Sequence, residues 1–195
     1  MTVTYQLGLP DHLRADAAEL YWQAFGSKLG RVMGPKPKAQ RFLLRVLRAD
    51  HVVIALDDRG ALLGMAGFKT PAGSFAGGDV ADMLAIYGRL GAAWRLPLLW
   101  ALGREVDNAR FLLDGICVTK GARSQGIGAT LMTIIEAEAR QRGYHAVRLD
   151  VVDGNWRAKA LYQRLGYKPE KTDDIGVLRY AFGFQSSTTM VKALP

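Results

Sequence analysis

The hexapeptide Arg123-Ser124-Gln125-Gly126-Ile127-Gly128 has the composition of an anion-binding turn, with one arginine, two polar residues, two glycines and one isoleucine. It follows an apolar segment typical of a strand, Phe111 to Thr119, and precedes a segment with helical character, Ala129 to Arg142. The first turn of a helix presents backbone N–H groups without intrahelical partners and carries the positive end of the helix dipole. Glycines let the main chain approach a ligand closely, and Arg123 adds a positive charge. We therefore predict that this turn binds a phosphate or a pyrophosphate.

Two better known glycine motifs are excluded by single residues. A Walker loop requires Lys and then Ser or Thr after its last glycine, whereas Gly126 is followed by Ile127 and Gly128. A dinucleotide-binding fingerprint requires a third glycine, where this chain has Leu131. From this hexapeptide alone, an ordinary strand-to-helix turn without a ligand stays open.

A second motif lies downstream of the turn. Another strand-like segment, Ala146 to Val152, leads into a helical segment that begins at Asn155 and runs through Leu161-Tyr162. Taken together, the two motifs resemble those of the GNAT superfamily of acyl-CoA-dependent N-acyltransferases over about Phe111 to Lys168. The resemblance implies that the turn binds the pyrophosphate of CoA and that Asn155, Ala158, Leu161 and Tyr162 complete the site.

The resemblance also implies an acyl donor, acetyl-CoA, and a role for each part of the site. Tyr162 is expected to be the general acid that returns a proton to the departing thiolate, since a phenol holds its proton at neutral pH. The Val118 N–H is expected to bind the oxygen of the tetrahedral intermediate. The residues expected to bind the cofactor, by main chain or side chain, are Ile116, Cys117, Val118, Arg123, Ser124, Gln125, Gly126, Ile127, Gly128, Ala129 and Asn155.

The first strand of the motif carries one carboxylate, Asp114. Simple alternation predicts one face made of Leu112, Asp114, Ile116 and Val118, and an opposite face made of Phe111, Leu113, Gly115 and Cys117. Both faces are apolar, so a carboxylate there must be paired, solvated or protonated. The resemblance implies a general base on this strand, and Asp114 is the candidate. It lies two positions closer to Val118 than the family pattern leads us to expect. Pairing with an arginine or capping of a loop is the alternative.

The remaining segments supply the elements that must position these residues. We predict an edge strand at Thr2 to Gly8, helices at Asp11 to Phe25 and Pro35 to Leu47, and a hairpin of His51 to Leu56 with Ala61 to Lys69. Near the end, Tyr180, Phe182 and Phe184 alternate as in a strand, Thr188 to Ala193 predicts a closing strand, and Asp173 and Asp174 are expected in a loop.

A long insertion, Thr70 to Ala109, separates the hairpin from the motif strand, where the family usually has a short turn. It is predicted to start as a loop, Pro71 to Gly78, and to continue as a helix from Asp79 with a second short helix from Pro97. The apolar stripe of its first helix is expected to be Val80, Met83, Leu84, Tyr87 and Leu90. Because Trp94 and Trp100 are costly to expose, a substrate lid or a dimer surface is one interpretation and a core embellishment is the other.

Composition predicts a single domain over residues 1–195. The chain is 49% hydrophobic, and Cys117 is its single cysteine, which we expect to be a buried thiol. The N-terminal segment lacks a signal-peptide pattern and the most apolar run, Leu96 to Gly103, is too short to span a membrane, so we expect a cytoplasmic protein with no membrane partner. His12, His51 and His145 lack ligand spacing, so no metal is expected.

The net charge of +8 is spread along the chain without runs of like charge, which makes nucleic acid an unfavoured partner. A basic surface suits polyanionic CoA and argues against a polycationic acceptor.

These observations predict a single α/β domain whose mixed, mostly antiparallel sheet splays at the CoA site, with flanking helices, a helical insertion at 70–109 and core motifs at 111–168. The predicted reaction is transfer of acetyl from acetyl-CoA to a primary amine of a small molecule. Alternatives are a non-catalytic acyl-CoA sensor or scaffold, or an acetyltransferase acting on a protein N-terminus or a tRNA-linked amine. A homodimer is a further expectation. A pocket roofed by the insertion would favour a small metabolite, and an open groove a macromolecule.

Overall fold

Helical and extended segments alternate along the chain. The structure, a computed structural model, describes residues 2–102 and 109–195. Its elements in chain order are β1 Thr4–Leu7, α1 Arg14–Met33, α2 Lys36–Val46, β2 Val52–Leu56, β3 Leu62–Thr70, β4 Gly73–Ser74, α3 Val80–Leu102, β5 Phe111–Val118, α4 Ile127–Gln141, β6 Ala146–Val152, α5 Trp156–Arg164, β7 Lys168–Asp174, α6 Arg179–Phe182 and β8 Ser186–Ala193.

The strands form one sheet in the order β1-β2-β3-β5-β6-β8-β7, with the short β4 paired to β3. All neighbours are antiparallel except β5 and β6, which are parallel. Those two strands pair only through Phe111 with Val147 and Leu112 with Arg148. Beyond these pairs the strands separate, so the predicted fold class, a mixed sheet that splays next to the motif strand, is confirmed.

Each face of the sheet is covered by helices, as the alternation of side chains along β2 requires. Val53 and Ala55 pack on the face covered by α4, whereas Val52 and Ile54 pack on the face covered by α1. The buried apolar positions of α4, namely Ile127, Leu131, Met132, Ile135 and Ala139, recur at helical spacing. The core therefore has two layers, one on each side of the strands that carry the gap.

Helix α1 continues to Met33, beyond the predicted end at Phe25. Gly26 and Gly30 lower the helical propensity of this extension. Tertiary contacts compensate, because Arg95 donates to the Val32 carbonyl at 2.6 Å and to the Gly34 carbonyl at 3.0 Å. The extension lengthens the helix that covers the gap between β5 and β6.

The insertion differs from its prediction in two ways. Its helix α3 is interrupted at Gly88, with φ 69° and ψ 175°, whereas Pro97 lies inside the helix. The first half buries Met83 and Tyr87 of the predicted stripe, but Val80, Leu84 and Leu90 are exposed. The change of direction at Gly88 explains the loss of Leu90 from the stripe, since the second half packs inward with Ala92, Leu96 and Leu99 instead.

The outer side of α3 is apolar and faces solvent in this structure. Leu90 is 89% exposed, Trp100 67% and Trp94 46%. The helix itself packs on α1 and α2 through Met83, Tyr87 and Ala92, so the described part of the insertion adds to the core and has an apolar outer side.

The C-terminal segment differs from its prediction at two places. Residues 179–182 form the short helix α6 rather than a strand, because Gly183 ends the turn in the left-handed region and the Tyr180 carbonyl accepts from Arg31 Nη1 at 2.7 Å. Asp173 and Asp174 end strand β7 instead of lying in a loop. The closing strand is confirmed as β8.

A membrane-spanning helix would need a longer apolar run than any that the described part of the chain contains.

Candidate active site

The separation of β5 from β6 opens a groove of about 1130 Å³. Its walls come from α1, β5, the glycine turn, the end of β6, α5 and the loop that follows α6. Most of the predicted cofactor-binding residues line it: Ile116, Cys117, Val118, Arg123, Ser124, Gly126, Ile127, Gly128, Ala129 and Asn155. Gln125 does not; its side chain turns back and donates to the Gly121 carbonyl at 3.1 Å.

The backbone of β5 presents hydrogen-bonding groups to the gap. The Thr119 N–H donates to the Leu63 carbonyl of the neighbouring antiparallel strand at 2.8 Å. Because successive residues of a strand point their backbone groups to opposite edges, those of Ile116 and Val118 point toward the gap. The Val118 carbonyl accepts from Arg123 Nε at 3.2 Å. The edge of β5 is therefore a template on which an extended ligand can pair.

The glycine turn ends with Gly126 in the left-handed region, at φ 82°, as the N-cap of α4. Ser124 also has a positive φ, 63°. The N–H groups of Ile127, Gly128 and Ala129 belong to the first helical turn, where no intrahelical acceptor is in reach, and all three residues line the groove. This arrangement is suited to an anion.

Gly128 allows helices α4 and α5 to approach each other. A Cβ at this position would lie 3.4 Å from Leu161 Cδ2, at the limit of ordinary contact. Asn155 is the N-cap of α5, and its Oδ1 accepts from the Ala158 N–H at 3.4 Å. Its exposed side chain also lines the groove, so capping and ligand contact are compatible there.

Tyr162 lies in the core beside the groove rather than on its wall, and only 5% of its surface is exposed. Its ring packs 6.0 Å from that of Tyr167, measured between centroids. Burial, together with the nearby Cys117 thiol, raises the pKa of Tyr162 well above that of a free phenol. The hydroxyl thus keeps its proton, close to the strand whose edge faces the gap.

Cys117 is a buried thiol, as predicted. Burial raises its pKa to about 12, and the charge of Arg123 opposes this shift. A thiol with this pKa is not a nucleophile at neutral pH.

The alternation predicted for β5 is wrong, because a β-bulge interrupts it at Asp114. Gly67 of β3 pairs with Gly115 and the next residue, Phe68, pairs with Leu113, so Asp114 has no partner. The bulge brings Phe111, Leu113, Ile116 and Val118 to the α4 face. Cys117 packs on the α1 face.

Asp114 holds the loop that begins the insertion. Its Oδ2 accepts from the Ala76 N–H at 3.0 Å, which is the loop-capping alternative, and Asp114 does not line the groove. Burial raises the pKa of its carboxyl above the usual value, opposed by this hydrogen bond and by the charges of Lys69 and His51. Within the described residues, Oδ1 accepts no hydrogen bond.

The residues that helix α1 contributes to the groove were not predicted from the sequence. Gln23, Ala24, Phe25, Ser27 and Lys28 line the groove. The Phe25 ring lies directly on β5, since a Cβ on Gly115 would be 2.7 Å from Phe25 Cζ. The helical spacing of Tyr21, Phe25 and Lys28 was a usable signal, but the predicted end of the helix at Phe25 concealed it. On the other side, Phe184 lines the groove from the loop after α6.

The described residues of the insertion do not line the groove, so its predicted role as a lid is not supported by residues 70–102 and 109. They border a separate cavity of about 540 Å³, lined by Lys69, Ser74, Asp79, Arg110 and others. In residues 2–102 and 109–195, no three His, Cys, Asp or Glu side chains converge as a metal site would require.

A mixed sheet that opens between two parallel strands beside a glycine turn defines a class of acyltransferase folds. The chain belongs to the acetyltransferase (GNAT) family, whose family model matches residues 14–167.

Relatives agree with this assignment. A 90-residue stretch is 31% identical to GCN5-related N-acetyltransferase 6, chloroplastic, of Arabidopsis thaliana, and the match covers 43% of this chain and 31% of the plant protein. The crystal structure of an N-acetyltransferase from Staphylococcus aureus Mu50 superposes with a TM-score of 0.65 at 13% identity, over 97% of this chain and 100% of that one. A GNAT superfamily phosphinothricin acetyltransferase from Sinorhizobium meliloti, solved with AcCoA, gives a TM-score of 0.62 at 15% identity, over 100% and 89%. At these identities the structural likeness shows the fold.

Proposed function

We propose that this chain is an N-acetyltransferase that transfers the acetyl group of acetyl-CoA to the primary amine of a small molecule. The observation that carries the proposal is the groove, in which the free edge of β5 leads to the N-terminus of α4. This is a site for a long ligand that has amide groups at one end and phosphates at the other.

The chain's own groups fit CoA along the whole groove. Pantetheine resembles an extended peptide and would pair with the backbone of Ile116 and Val118. The N–H groups at the start of α4 and the Arg123 guanidinium would bind the pyrophosphate. Gly126 has open space where a Cβ would stand, which leaves room for phosphate oxygens beside the turn.

When bound, acetyl-CoA supplies an activated thioester. Val118 N–H would donate to the oxygen on which negative charge develops. Tyr162, whose hydroxyl keeps its proton beside Cys117, would protonate the departing thiolate. Asp114 would accept the proton of the amine through water. Its Oδ1 accepts no hydrogen bond within the described residues, and burial makes its carboxylate a stronger base than usual.

The acceptor end of the groove is bounded by side chains of α1 and by Phe184. These residues, and not the described residues of the insertion, form its walls, and the rings of Phe25 and Phe184 suit a small amine with an apolar part. Because the described part of the insertion leaves the groove uncovered, a protein N-terminus is the second candidate acceptor.

The proposal is tested by calorimetric titration of acetyl-CoA, followed by a thiol-release assay with a panel of amines. Wild type is expected to bind, and Gly126→Glu is expected to lose binding because it places a carboxylate where phosphate belongs. Gly126→Ala imposes a similar backbone strain without charge, since its φ is 82° and no atom lies within 4 Å of the Cβ position. Gly121→Glu adds the same charge nearby, at an exposed position off the groove. Both controls should retain most of the binding.

Failure of wild type to bind acetyl-CoA would contradict the proposal. Binding without thiol release from any small amine or peptide N-terminus would identify the alternative, a non-catalytic acyl-CoA sensor. The engagement of Asp114 Oδ2 by the Ala76 N–H is the observation that keeps this alternative in view.

A further inference from the structure

Lys28 is a cation in the groove that pairs with no carboxylate of the described residues. Its side chain is half-buried and lines the groove. Its ammonium lies 5.8 Å from the centroid of the Phe25 ring. Within the described residues, Lys28 makes no hydrogen bond and no ion pair. Partial burial lowers the pKa of Lys28, as expected for a charge removed from water without a full partner.

The carboxylate whose charge acts on Lys28, that of Asp153, already accepts two backbone hydrogen bonds. Asp153 accepts from the Gly154 N–H at 2.9 Å through Oδ1 and from the Gln185 N–H at 3.2 Å through Oδ2. Its charge acts on Lys28 only from a distance, in the direction that keeps the ammonium protonated. The arrangement holds Lys28 charged but leaves its three N–H donors available to a ligand.

Lys28 lies on the face of the sheet opposite to the helix whose N-terminus would bind the phosphates of CoA. Helix α4, whose N-terminus forms the phosphate site, covers one face, and α1 covers the other. Phe25, one turn before Lys28, packs on β5 at Gly115, two residues before Cys117. Lys28 thus lines the groove on the α1 side of β5, beside the Phe25 ring, where the amine would approach the acetyl group.

We infer that Lys28 is the anion-binding residue of the acceptor subsite and that the acceptor is a small amine that also carries a carboxylate, an amino acid. The inference rests on the proposed function. The ammonium of Lys28 would bind the carboxylate, while the aromatic walls of Phe25 and Phe184 contact the apolar part of the molecule. The net charge of +8 also favours an acceptor with an anionic group.

The first test compares acceptors that share a side chain and differ at the carboxylate, with kcat/KM expressed per unprotonated amine because the substitution also changes the pKa of the amine. Phenylalanine, phenylalanine amide and phenethylamine form one series, and leucine, leucine amide and 3-methylbutylamine form another. Wild type should use the carboxylated member of a series with kcat/KM about 10- to 100-fold above that of its amide, the range expected for a hydrogen bond between charged groups. Equal or better use of the amide or of the decarboxylated amine would overturn the inference.

Variants assign the effect to Lys28. Lys28→Met should raise KM for the carboxylated acceptor and remove the preference, and Lys28→Arg should restore part of it. Activity toward the decarboxylated amine and affinity for acetyl-CoA should not change. Lys38→Met removes one positive charge from an exposed position off the groove and should behave as wild type. A preference that survives in Lys28→Met, or a fall in kcat with every amine, would overturn the inference.

A binding measurement separates failure of the subsite from failure of the proposed reaction. N-acetylphenylalanine and N-acetylphenethylamine are titrated into protein saturated with CoA. Only the first should bind measurably to wild type, and Lys28→Met should lose it. This result stands even if no amine is acetylated, in which case the proposed transferase function alone fails. If N-acetylphenylalanine binds no better than N-acetylphenethylamine, the proposed carboxylate-binding role of Lys28 is wrong.

Discussion

Asp114 and Ala76 are joined by a hydrogen bond that connects the motif strand to the insertion. Oδ2 of Asp114 accepts from the Ala76 N–H at 3.0 Å, across 38 residues of sequence. The bond is possible because a β-bulge leaves Asp114 out of the pairing between β3 and β5. One carboxylate oxygen therefore fixes a loop, while the other accepts no hydrogen bond within the described residues.

Asp114→Asn separates these two functions of the carboxylate. The amide oxygen of Asn can still accept from the Ala76 N–H, so the free energy of unfolding should stay close to that of wild type. If Asp114 is the general base, kcat should fall about 100-fold. The wild-type profile should lose activity as pH falls through the raised pKa of Asp114, since the protonated carboxyl cannot accept a proton, and the variant should lack this limb. Full activity of Asp114→Asn would show that Asp114 is not the general base and that its carboxylate only holds the loop.

Asp114→Ala is the companion variant. It leaves the Ala76 N–H without an acceptor, and the free energy of unfolding should fall by about 1–3 kcal/mol. Urea unfolding of both variants measures the difference. If Asp114→Ala is as stable as Asp114→Asn, the hydrogen bond does not stabilise the loop.

Tyr162→Phe tests the general acid. The hydroxyl makes no hydrogen bond with the described residues, so its removal should leave stability and the Kd for acetyl-CoA nearly unchanged. Turnover should fall about 100- to 10,000-fold, the usual contribution of a positioned acid. Tyr167→Phe is the control, because Tyr167 is also buried but neighbours Glu136 instead of Cys117. Steady-state thiol release with both variants decides the assignment, and a fully active Tyr162→Phe would contradict it.

The strand, glycine turn and helix of the cofactor site could be predicted from sequence because each depends on local chemistry. A positive φ favours Gly126, free N–H groups follow from a helix start, and Asn155 is a common N-cap. The individual strands of the first half followed from alternation and turn residues. These features need no knowledge of distant parts of the chain.

The face on which Asp114 lies could not be predicted, because the bulge depends on how β5 pairs with Gly67 and Phe68 of β3. Lys28 was missed for a related reason. Gly26 and Gly30 suggest an early end to α1, and contacts between the extension and α3 overcome their low helical propensity. In both cases a contact made far away in sequence decides the local structure.

The interruption of α3 offers a direct test of one such correction. Gly88 has φ 69° and ψ 175°, a conformation that is costly for residues with a Cβ. Gly88→Ala should lower the free energy of unfolding by about 1–3 kcal/mol, whereas Gly121→Ala, in open space without a positive φ, should have little effect. The affinity for acetyl-CoA should not change, because α3 lies off the groove. Wild-type stability of Gly88→Ala would mean that the helix is not interrupted there.

Stability at alkaline pH should depend on the buried acids beside the groove. The pKa of Cys117 rises from 9.0 to about 12 on folding, and the pKa of Tyr162 also rises. Above about pH 9 the unfolded chain therefore loses protons that the folded protein keeps, so stability falls as pH rises, by up to about 1.4 kcal/mol per pH unit for each group. Urea unfolding between about pH 8 and pH 11 measures the slope. Cys117→Ala should be less stable near neutral pH but should lose stability less steeply just above about pH 9, where the thiol of the unfolded chain ionises first. An unchanged slope in Cys117→Ala would show that the thiol is accessible to water, and the groove would then be solvated as far as β5.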